Sequence, residues 1–202
     1  MIKFHPTDAQ LVSFSEGGLS PAESVLTSAH CDMCDECSSK VNRLTQSAAS
    51  KVFDDNKAHN TAIQRDFISM FEAITNVDHK SALYEMELDP APAVIEIEGK
   101  RFLLPPTLAR FSDRLGEWSH LIGKLWQAQV DIGGGYLAQF IYMEKGGGVP
   151  EHTHKGSELT LVIDGEFVDG IGRYKNGDFL SFNCEQTHEP VSNADEGCLV
   201  FS

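Results

Sequence analysis

The spacing of apolar residues changes partway along the chain. In the first 80 or so residues, apolar positions recur every three or four residues, which is typical of helices with one buried face. The clearest case is residues 61–77, where six apolar residues predict one buried stripe: Ile63, Phe67, Met70, Phe71, Ile74 and Val77. Ile68 falls off this stripe, which indicates either an exposed face for a partner or a contact with a neighbouring helix.

Local signals predict where the earlier helices begin and end. Two glycines at 17–18 end a short helix that starts near Thr7. The run Ser-Pro-Ala-Glu at 20–23 combines an N-cap serine, a proline at the first helical position and the glutamate of a capping box. We therefore predict a second helix that proceeds toward His30 and a further one that continues to about Phe53.

The apolar period becomes two after an acidic, proline-bearing stretch at residues 78–92, which we interpret as a linker. A hairpin turning at Gly99 is followed by several short predicted strands: 125–132, 136–143, 159–163, 178–182 and 198–201. The sequence thus predicts an α+β protein of two domains, an all-α helical bundle at 1–85 and an all-β sandwich or barrel at 90–202.

Composition narrows the possible functions. The formal net charge of −14, from 30 acidic and 16 basic residues, repels phosphates, so we expect no direct contact with nucleic acid. No apolar run approaches the roughly 18–20 residues of a membrane helix, and the N-terminal residues lack the apolar core of a signal peptide. We therefore expect a cytoplasmic protein that does not enter a membrane.

A first group of metal-ligand residues lies near the N-terminus, in the pattern His30-x3-Cys34-x2-Cys37. On one helix, at about 100° per residue, these three side chains would lie within about 60° of one another. Thiolates and imidazoles suit tetrahedral zinc, and a small helical domain gains stability from such a metal. The fourth ligand must come from elsewhere in the chain; we predict His5, with His59 as the competitor.

The five cysteines favour metal binding over disulfides, because their number is odd and three of them lie within seven residues. Cys31 would point about 100° away from the predicted ligand face, so we exclude it as a ligand. Cys184 and Cys198 are expected to be inert free thiols. Cys34 and Cys37, as thiolates, are also candidate targets of oxidation.

A second group of ligand residues lies near the C-terminus, in the pattern His152-x-His154-x3-Glu158, with His188 thirty residues later. Alternate residues of a strand share a face, so both histidines of the short pattern would point into a barrel, and the glutamate would enter from the next strand. Three imidazoles and a carboxylate accept zinc, iron, manganese or nickel, which leaves the identity of this metal open.

Both groups resemble motifs of known families. His5 with the His-x3-Cys-x2-Cys pattern resembles the zinc-binding anti-sigma domain of bacterial ZAS proteins. Residues 147–158 resemble the first motif of cupins, which are jelly-roll barrels, and residues 177–188 resemble the second. In the second motif, the usual Pro-x-Gly turn is replaced by Asn-Cys-Glu at 183–185.

The order of the two motifs resembles that of ChrR-type anti-sigma factors over nearly the whole chain. The resemblance implies that the helical domain binds an extracytoplasmic-function sigma factor, and that the cupin releases it in response to singlet oxygen, peroxide or a small molecule. It implies a regulator and not an enzyme. Two alternatives remain: a metal-dependent cupin dioxygenase or isomerase with a helical appendage, and a zinc-stabilised scaffold.

Overall fold

The computed structural model describes residues 1–56, 64–76, 93–121, 123–153 and 156–202. The first part is helical, and we call it the helical unit; the part from residue 93 onward is rich in strands, and we call it the β domain. The described helices of the helical unit are α1 (Asp8–Ser15), α2 (Pro21–Met33), α3 (Asp35–Asn56) and α4 (Gln64–Thr75). None of the helices in these ranges is long and apolar enough to cross a membrane. The predicted linker at 78–92 lies outside the described residues.

The first two helices begin as predicted. Thr7 is the N-cap of α1, and its hydroxyl accepts a hydrogen bond from the backbone N–H of Gln10 at 3.3 Å. Ser20 is the N-cap of α2, and its own N–H donates to the Glu23 carboxylate at 3.0 Å, which completes the capping box. Both caps satisfy amide groups that the first turn of a helix leaves without helical partners.

A break separates α2 from α3. Helix α2 ends at Met33, Cys34 has an extended backbone (φ −129°, ψ 102°), and α3 begins at Asp35. Two successive helices are found as predicted, but the placement of His30, Cys34 and Cys37 on one helix, on which the estimate of their angles rested, is wrong. Helical spacing alone does not reveal such a break, because the residues on either side of it remain in helices.

The apolar face of α4 is exposed. Met70, Phe71 and Ile74 expose 50%, 60% and 57% of their surface, so the prediction that they form a buried stripe is wrong. We define the apolar helical surface as these three residues with two exposed residues near the end of α3: Val52, Phe53, Met70, Phe71 and Ile74. The remaining residues of the predicted pattern have side chains outside the described part of the chain: Ile63, Phe67, Ile68 and Val77.

The described strands of the β domain are β1 (Val94–Ile97), β2 (Lys100–Leu103), β3 (Ser119–His120), β4 (Leu125–Gly133), β5 (Tyr136–Met143), β6 (Glu158–Val168), β7 (Arg173–Lys175), β8 (Phe179–Phe182) and β9 (Cys198–Phe201). A short helix, α5 (Pro106–Ala109), and a 3-10 turn at Ser112–Arg114 lie between β2 and β3. The hairpin turns where predicted, through left-handed residues Glu98 (φ 49°) and Gly99 (φ 71°). Strands β3 and β7 are missed by the sequence analysis because two or three residues are too few to show alternation.

Seven strands form one antiparallel sheet in the order β3-β4-β5-β9-β6-β7, with β8 also paired to β6. Leu161 of β6 pairs with Phe179 of β8 on one edge and with Phe201 of β9 on the other. Successive residues of β9 belong to two different apolar cores, with Phe201 in one and Val200 in the other. Because side chains alternate along a strand, these cores lie on opposite faces of the sheet.

Helix α2 covers one face of the sheet. Leu26 and Ala29 are buried in the same core as Phe201. Ser28 and Thr107 also share a hydrogen bond between their hydroxyls at 2.8 Å, which joins α2 to α5. The helical unit is thus attached to the β domain through α2, and the predicted α+β class with a helical N-terminal part and a sheet-rich C-terminal part is confirmed.

Candidate metal centres

Four predicted ligands meet at one point of the helical unit. His5 comes from the segment before α1, His30 from the last turn of α2, Cys34 from the break and Cys37 from the start of α3. One ligand atom of each residue lies within 4.8 Å of the corresponding atoms of the others. His59, the predicted competitor of His5, lies outside the described residues.

The distances in this first cluster fit a tetrahedral metal site. His5 Nδ1 lies 3.5 Å from Cys34 Sγ and 3.4 Å from Cys37 Sγ. With Zn–N bonds of about 2.0–2.1 Å and Zn–S bonds of about 2.3 Å, tetrahedral geometry separates a nitrogen from a sulfur ligand by about 3.5 Å. The cluster can therefore hold a metal ion without a change in these separations.

His30 is oriented so that one ring nitrogen is left for the cluster. Its Nδ1 donates a hydrogen bond to the carbonyl oxygen of Gly177 at 2.8 Å. The residue is 0% exposed, and within the described structure its Nε2 has no hydrogen-bond partner. A buried polar atom without a partner costs free energy unless something binds it. This nitrogen, with the two thiols and the second imidazole, forms the soft donor set that zinc prefers.

Burial changes the acid–base behaviour of the cluster. Burial lowers the pKa of His30 to about 4, so its imidazole is neutral at pH 7 and can bind a cation. Burial, and then the neighbouring Cys34, raises the pKa of Cys37 to about 12. A bound cation reverses that effect, because a coordinating thiol is deprotonated. Cys31 lies outside the cluster, and burial raises the pKa of its thiol to about 11.

The second predicted centre lies inside the β domain. His152 and His188 form an antiparallel bridge, in which the N–H of each donates to the carbonyl of the other at 3.1 and 3.2 Å. Their Nε2 atoms lie 3.2 Å apart. His152 Nδ1 donates to the carbonyl oxygen of Pro150 at 2.8 Å, so the lone pair of this ring is on Nε2 and faces His188.

Glu158 is the first residue of β6 and lines a cavity of about 280 Å³ together with His152 and His188. Its Oε1 accepts a hydrogen bond from the Thr160 hydroxyl at 3.0 Å. His154, the third predicted imidazole, lies outside the described residues. Three of the four predicted ligands of the second centre are therefore found around one cavity.

The rest of the cavity wall is mainly apolar, with Gln127, Gln139, Thr160 and Ser202 as polar exceptions. The apolar lining includes Leu125, Ile141, Met143, Phe167, Phe182 and Val200. The Phe182 ring lies against that of His188, with centroids 4.2 Å apart. Polar groups in such surroundings interact more strongly than in water, so the histidines and the carboxylate dominate the chemistry of the cavity.

Asp169 lies beside the His188 ring and is missed by the sequence analysis. Its Oδ1 accepts hydrogen bonds from the N–H groups of Ile171 and Gly172 at 2.9 and 2.8 Å, and its Oδ2 lies 3.6 Å from His188 Nδ1. A carboxylate behind a histidine is the usual way in which a metal-binding imidazole is oriented. The only local signal is an aspartate before Gly170, which is typical of any turn.

Both parts of the chain are similar to known proteins. Residues 115–202 match the family described as the ChrR cupin-like domain. The whole chain is 29% identical to the anti-sigma-E factor ChrR of Cereibacter sphaeroides and covers 89% of that protein. A chain in the crystal structure of Rhodobacter sphaeroides SigE in complex with the anti-sigma ChrR matches with a TM-score of 0.74 and 26% identity, over 100% of this chain and 98% of that one. A cupin from Shewanella frigidimarina matches 45% of this chain at 24% identity, with a TM-score of 0.39.

The likeness to ChrR includes the helical unit, which the domain match at 115–202 does not reach. It therefore extends over the helices as well as over the sheet of the β domain. The predicted resemblance is confirmed: residues 115–202 match the ChrR cupin-like domain, and the chain as a whole is similar in fold to ChrR.

Proposed function

We propose that the protein is an anti-sigma factor, which binds an extracytoplasmic-function sigma factor and blocks its use by RNA polymerase. The observation that carries the proposal is the full-length likeness to ChrR, which was crystallised in complex with SigE. The protein then acts by stoichiometric binding, in the cytoplasm where the polymerase works, and needs no catalytic residue.

The apolar helical surface supports this proposal. Phe53 and Phe71 expose 71% and 60% of their surface, and large exposed apolar groups commonly mark a binding face. Aromatic residues also contribute disproportionately to binding energy. The net charge of −14 favours a partner with basic surfaces, as a DNA-binding sigma factor must have.

We propose that His5, His30, Cys34 and Cys37 hold a structural zinc ion. When bound, zinc cross-links the segment before α1 to α2 and α3. The need for such a link is supported by the small core of this region, where the described buried cluster consists of Leu11 and the two cysteines.

We propose that His152, His154, Glu158 and His188 hold a second divalent metal, and that singlet oxygen, a peroxide or a small ligand acts there to release the sigma factor. The depth of His188, which is 4% exposed, supports a sensing role and not a direct contact with the partner. Residues 1–85 would then be sufficient for inhibition, and residues 90–202 would be needed for the response.

Co-expression with the sigma factor encoded nearest to this protein tests the proposal. Purification through either partner should give a one-to-one complex with two metal ions per chain, at least one of them zinc. Recovery of the zinc-loaded, folded protein without its sigma factor would contradict the proposal.

One observation favours a second candidate, a metal-dependent cupin enzyme such as a dioxygenase or isomerase. The apolar cavity of about 280 Å³ beside His152 and His188 has the size and lining of a site for a small substrate. Turnover of a substrate by residues 90–202 alone, abolished by His188→Ala, would support the enzyme. Release of a bound sigma factor by oxidant, without turnover, would support the regulator.

A further inference from the structure

The first metal cluster is not built by the helical unit alone. The turn between β7 and β8, residues 175–178, belongs to the β domain and contacts one proposed ligand, His30, and the segment that carries another, His5. The Gly177 carbonyl accepts the hydrogen bond from His30 Nδ1 at 2.8 Å. The N–H of Phe179 donates to the carbonyl of Phe4 at 2.9 Å, so the residue before His5 is joined to the start of β8.

Asp178 holds the segment that carries His5. It is 2% exposed, and its Oδ1 accepts hydrogen bonds from the N–H groups of Lys3 and Phe4 at 2.7 and 3.0 Å. Its Oδ2 accepts from the N–H of Lys175 at 2.8 Å. A buried carboxylate that receives three amide protons is well satisfied and is expensive to disturb.

We propose that Gly177 and Asp178 are positioning residues for the first metal centre, so that the cupin-like domain orients His30 and His5 across the boundary between the two parts of the chain. The inference rests on the proposed zinc site. The Gly177 carbonyl keeps the His30 proton on Nδ1 and leaves Nε2 for the metal. Loss of a group that hydrogen-bonds to a metal ligand typically lowers the metal affinity 10–100-fold.

The same turn is connected to the second candidate centre. Tyr174 of β7 packs edge-on against Phe4, with ring centroids 5.1 Å apart. Burial, and then the neighbouring Asp169, raises the pKa of Tyr174 to about 12. Asp169 in turn lies 3.6 Å from His188. Side chains in contact thus lead from the second centre to the segment that holds His5, without passing through residues 78–92.

Contact does not by itself establish energetic coupling, so the positioning role is tested by matched variants of the full-length chain. Asp178→Asn is the first variant. An amide has one oxygen, so it can accept from the N-terminal segment or from Lys175 but not from both. Asp164→Asn is its control. Among the described residues, the hydrogen bonds of the Asp164 carboxylate are all to Oδ1, which accepts from Gly165 at 2.9 Å and from Asn176 at 3.4 Å, and the amide oxygen retains those bonds.

A second pair of variants guards against a general effect of misfolding. Gly177 and Gly170 both have left-handed φ values, +87° and +83°, so alanine strains the backbone similarly at each. A Cβ at Gly177 would lie 2.5 Å from Ile2 Cδ1 and would push the N-terminal segment away, whereas a Cβ at Gly170 meets nothing within 4 Å. Gly177→Ala is therefore the test, and Gly170→Ala the control.

Cobalt substitution reports on the first centre alone, because the second centre has no proposed cysteine ligand and gives no thiolate-to-cobalt absorption. Displacement of that cobalt by added zinc, followed by the loss of the absorption, gives the zinc affinity of the first centre. We expect Asp178→Asn and Gly177→Ala to weaken zinc binding about 10–100-fold and to change the cobalt bands, while both controls stay within about twofold of wild type.

The outcomes separate the inference from the site on which it rests. Equal zinc affinities and cobalt spectra in each test variant and its control would overturn the positioning role and leave the zinc site intact. Absence of thiolate–cobalt absorption in the wild-type protein would overturn the zinc site itself, and the inference with it. Neither result depends on sigma binding, which is measured separately.

Discussion

The helical unit and the β domain are stabilised in different ways. In the β domain, both faces of the sheet are covered, and large side chains such as Tyr142 and Phe201 are 0% exposed. In the helical unit, the separate described core consists of Leu11 with Cys34 and Cys37, two of which are proposed metal ligands. We therefore expect hydrophobic burial to be sufficient for the β domain, and the helical unit to depend on the proposed zinc ion and on the contact of α2 with the sheet.

The small core of the helical unit is accompanied by an exposed apolar surface. The helical unit leaves apolar residues of α3 and α4 exposed, among them Phe71. Apolar side chains that are exposed in this way do not contribute to the core of the free protein. A binding unit that reserves them for a partner needs another source of stability, which a metal and a second domain can supply.

The largest effect should follow from Cys34→Ala. Binding of structural zinc contributes about 10–16 kcal/mol in small zinc domains, so loss of a ligand should unfold most of the helical unit. We expect one zinc fewer per chain, reduced helical circular dichroism and no recovery of the sigma factor. The thermal transition of the β domain should persist. Cys31→Ala is the control and should retain the metal; full zinc content in Cys34→Ala would contradict the ligand assignment.

Phe201→Ala should destabilise the β domain and leave zinc bound to the first centre. Phe201 is fully buried and packs against Phe140, with ring centroids 4.8 Å apart. Its truncation should lower the free energy of unfolding of the β domain by about 3–5 kcal/mol, measured by urea denaturation. Ile171→Ala, at a position 58% exposed, should change it by less than about 0.5 kcal/mol. Loss of zinc from the first centre before the β domain unfolds would show that the two parts are less distinct than we infer.

Phe71→Asp should separate binding from stability. The side chain is 60% exposed, so the melting temperature should hardly change. Removal of an aromatic anchor should weaken sigma binding by about 2 kcal/mol, or roughly 30-fold, measured by calorimetry. Leu137→Asp is the matched control in the β domain, where the leucine is 65% exposed. An equal loss of affinity in both variants would remove the special role of the apolar helical surface.

His188→Ala should have the smallest effect on binding. The residue lines the cavity of the β domain and is not part of the apolar helical surface, so sigma affinity should stay within about twofold of wild type. The second metal should be lost, and with it the release of the sigma factor by an oxidant in a reconstituted complex. A variant that no longer holds the sigma factor would contradict the proposed division between inhibition and response.

Short-range patterns are sufficient to predict much of this protein. The capping run at residues 20–23 predicts the start of α2, and apolar alternation predicts β4, β5 and β9. The pattern His30-x3-Cys34-x2-Cys37 predicts a soft donor set even though the helix is broken within it. These features are visible in the sequence because they depend on residues only a few positions apart.

By itself, the sequence therefore predicted most of the helices and strands, the two proposed donor sets and the resemblance to ChrR-type proteins. Only the tertiary structure decided that α4 exposes Phe71, and that Asp178 holds Lys3 although the two residues are 175 positions apart. An apolar period shows that one face of a helix is apolar but not what covers it. Likewise, a hydrogen bond between distant residues leaves no local pattern, because only the folded chain brings its donor and acceptor together.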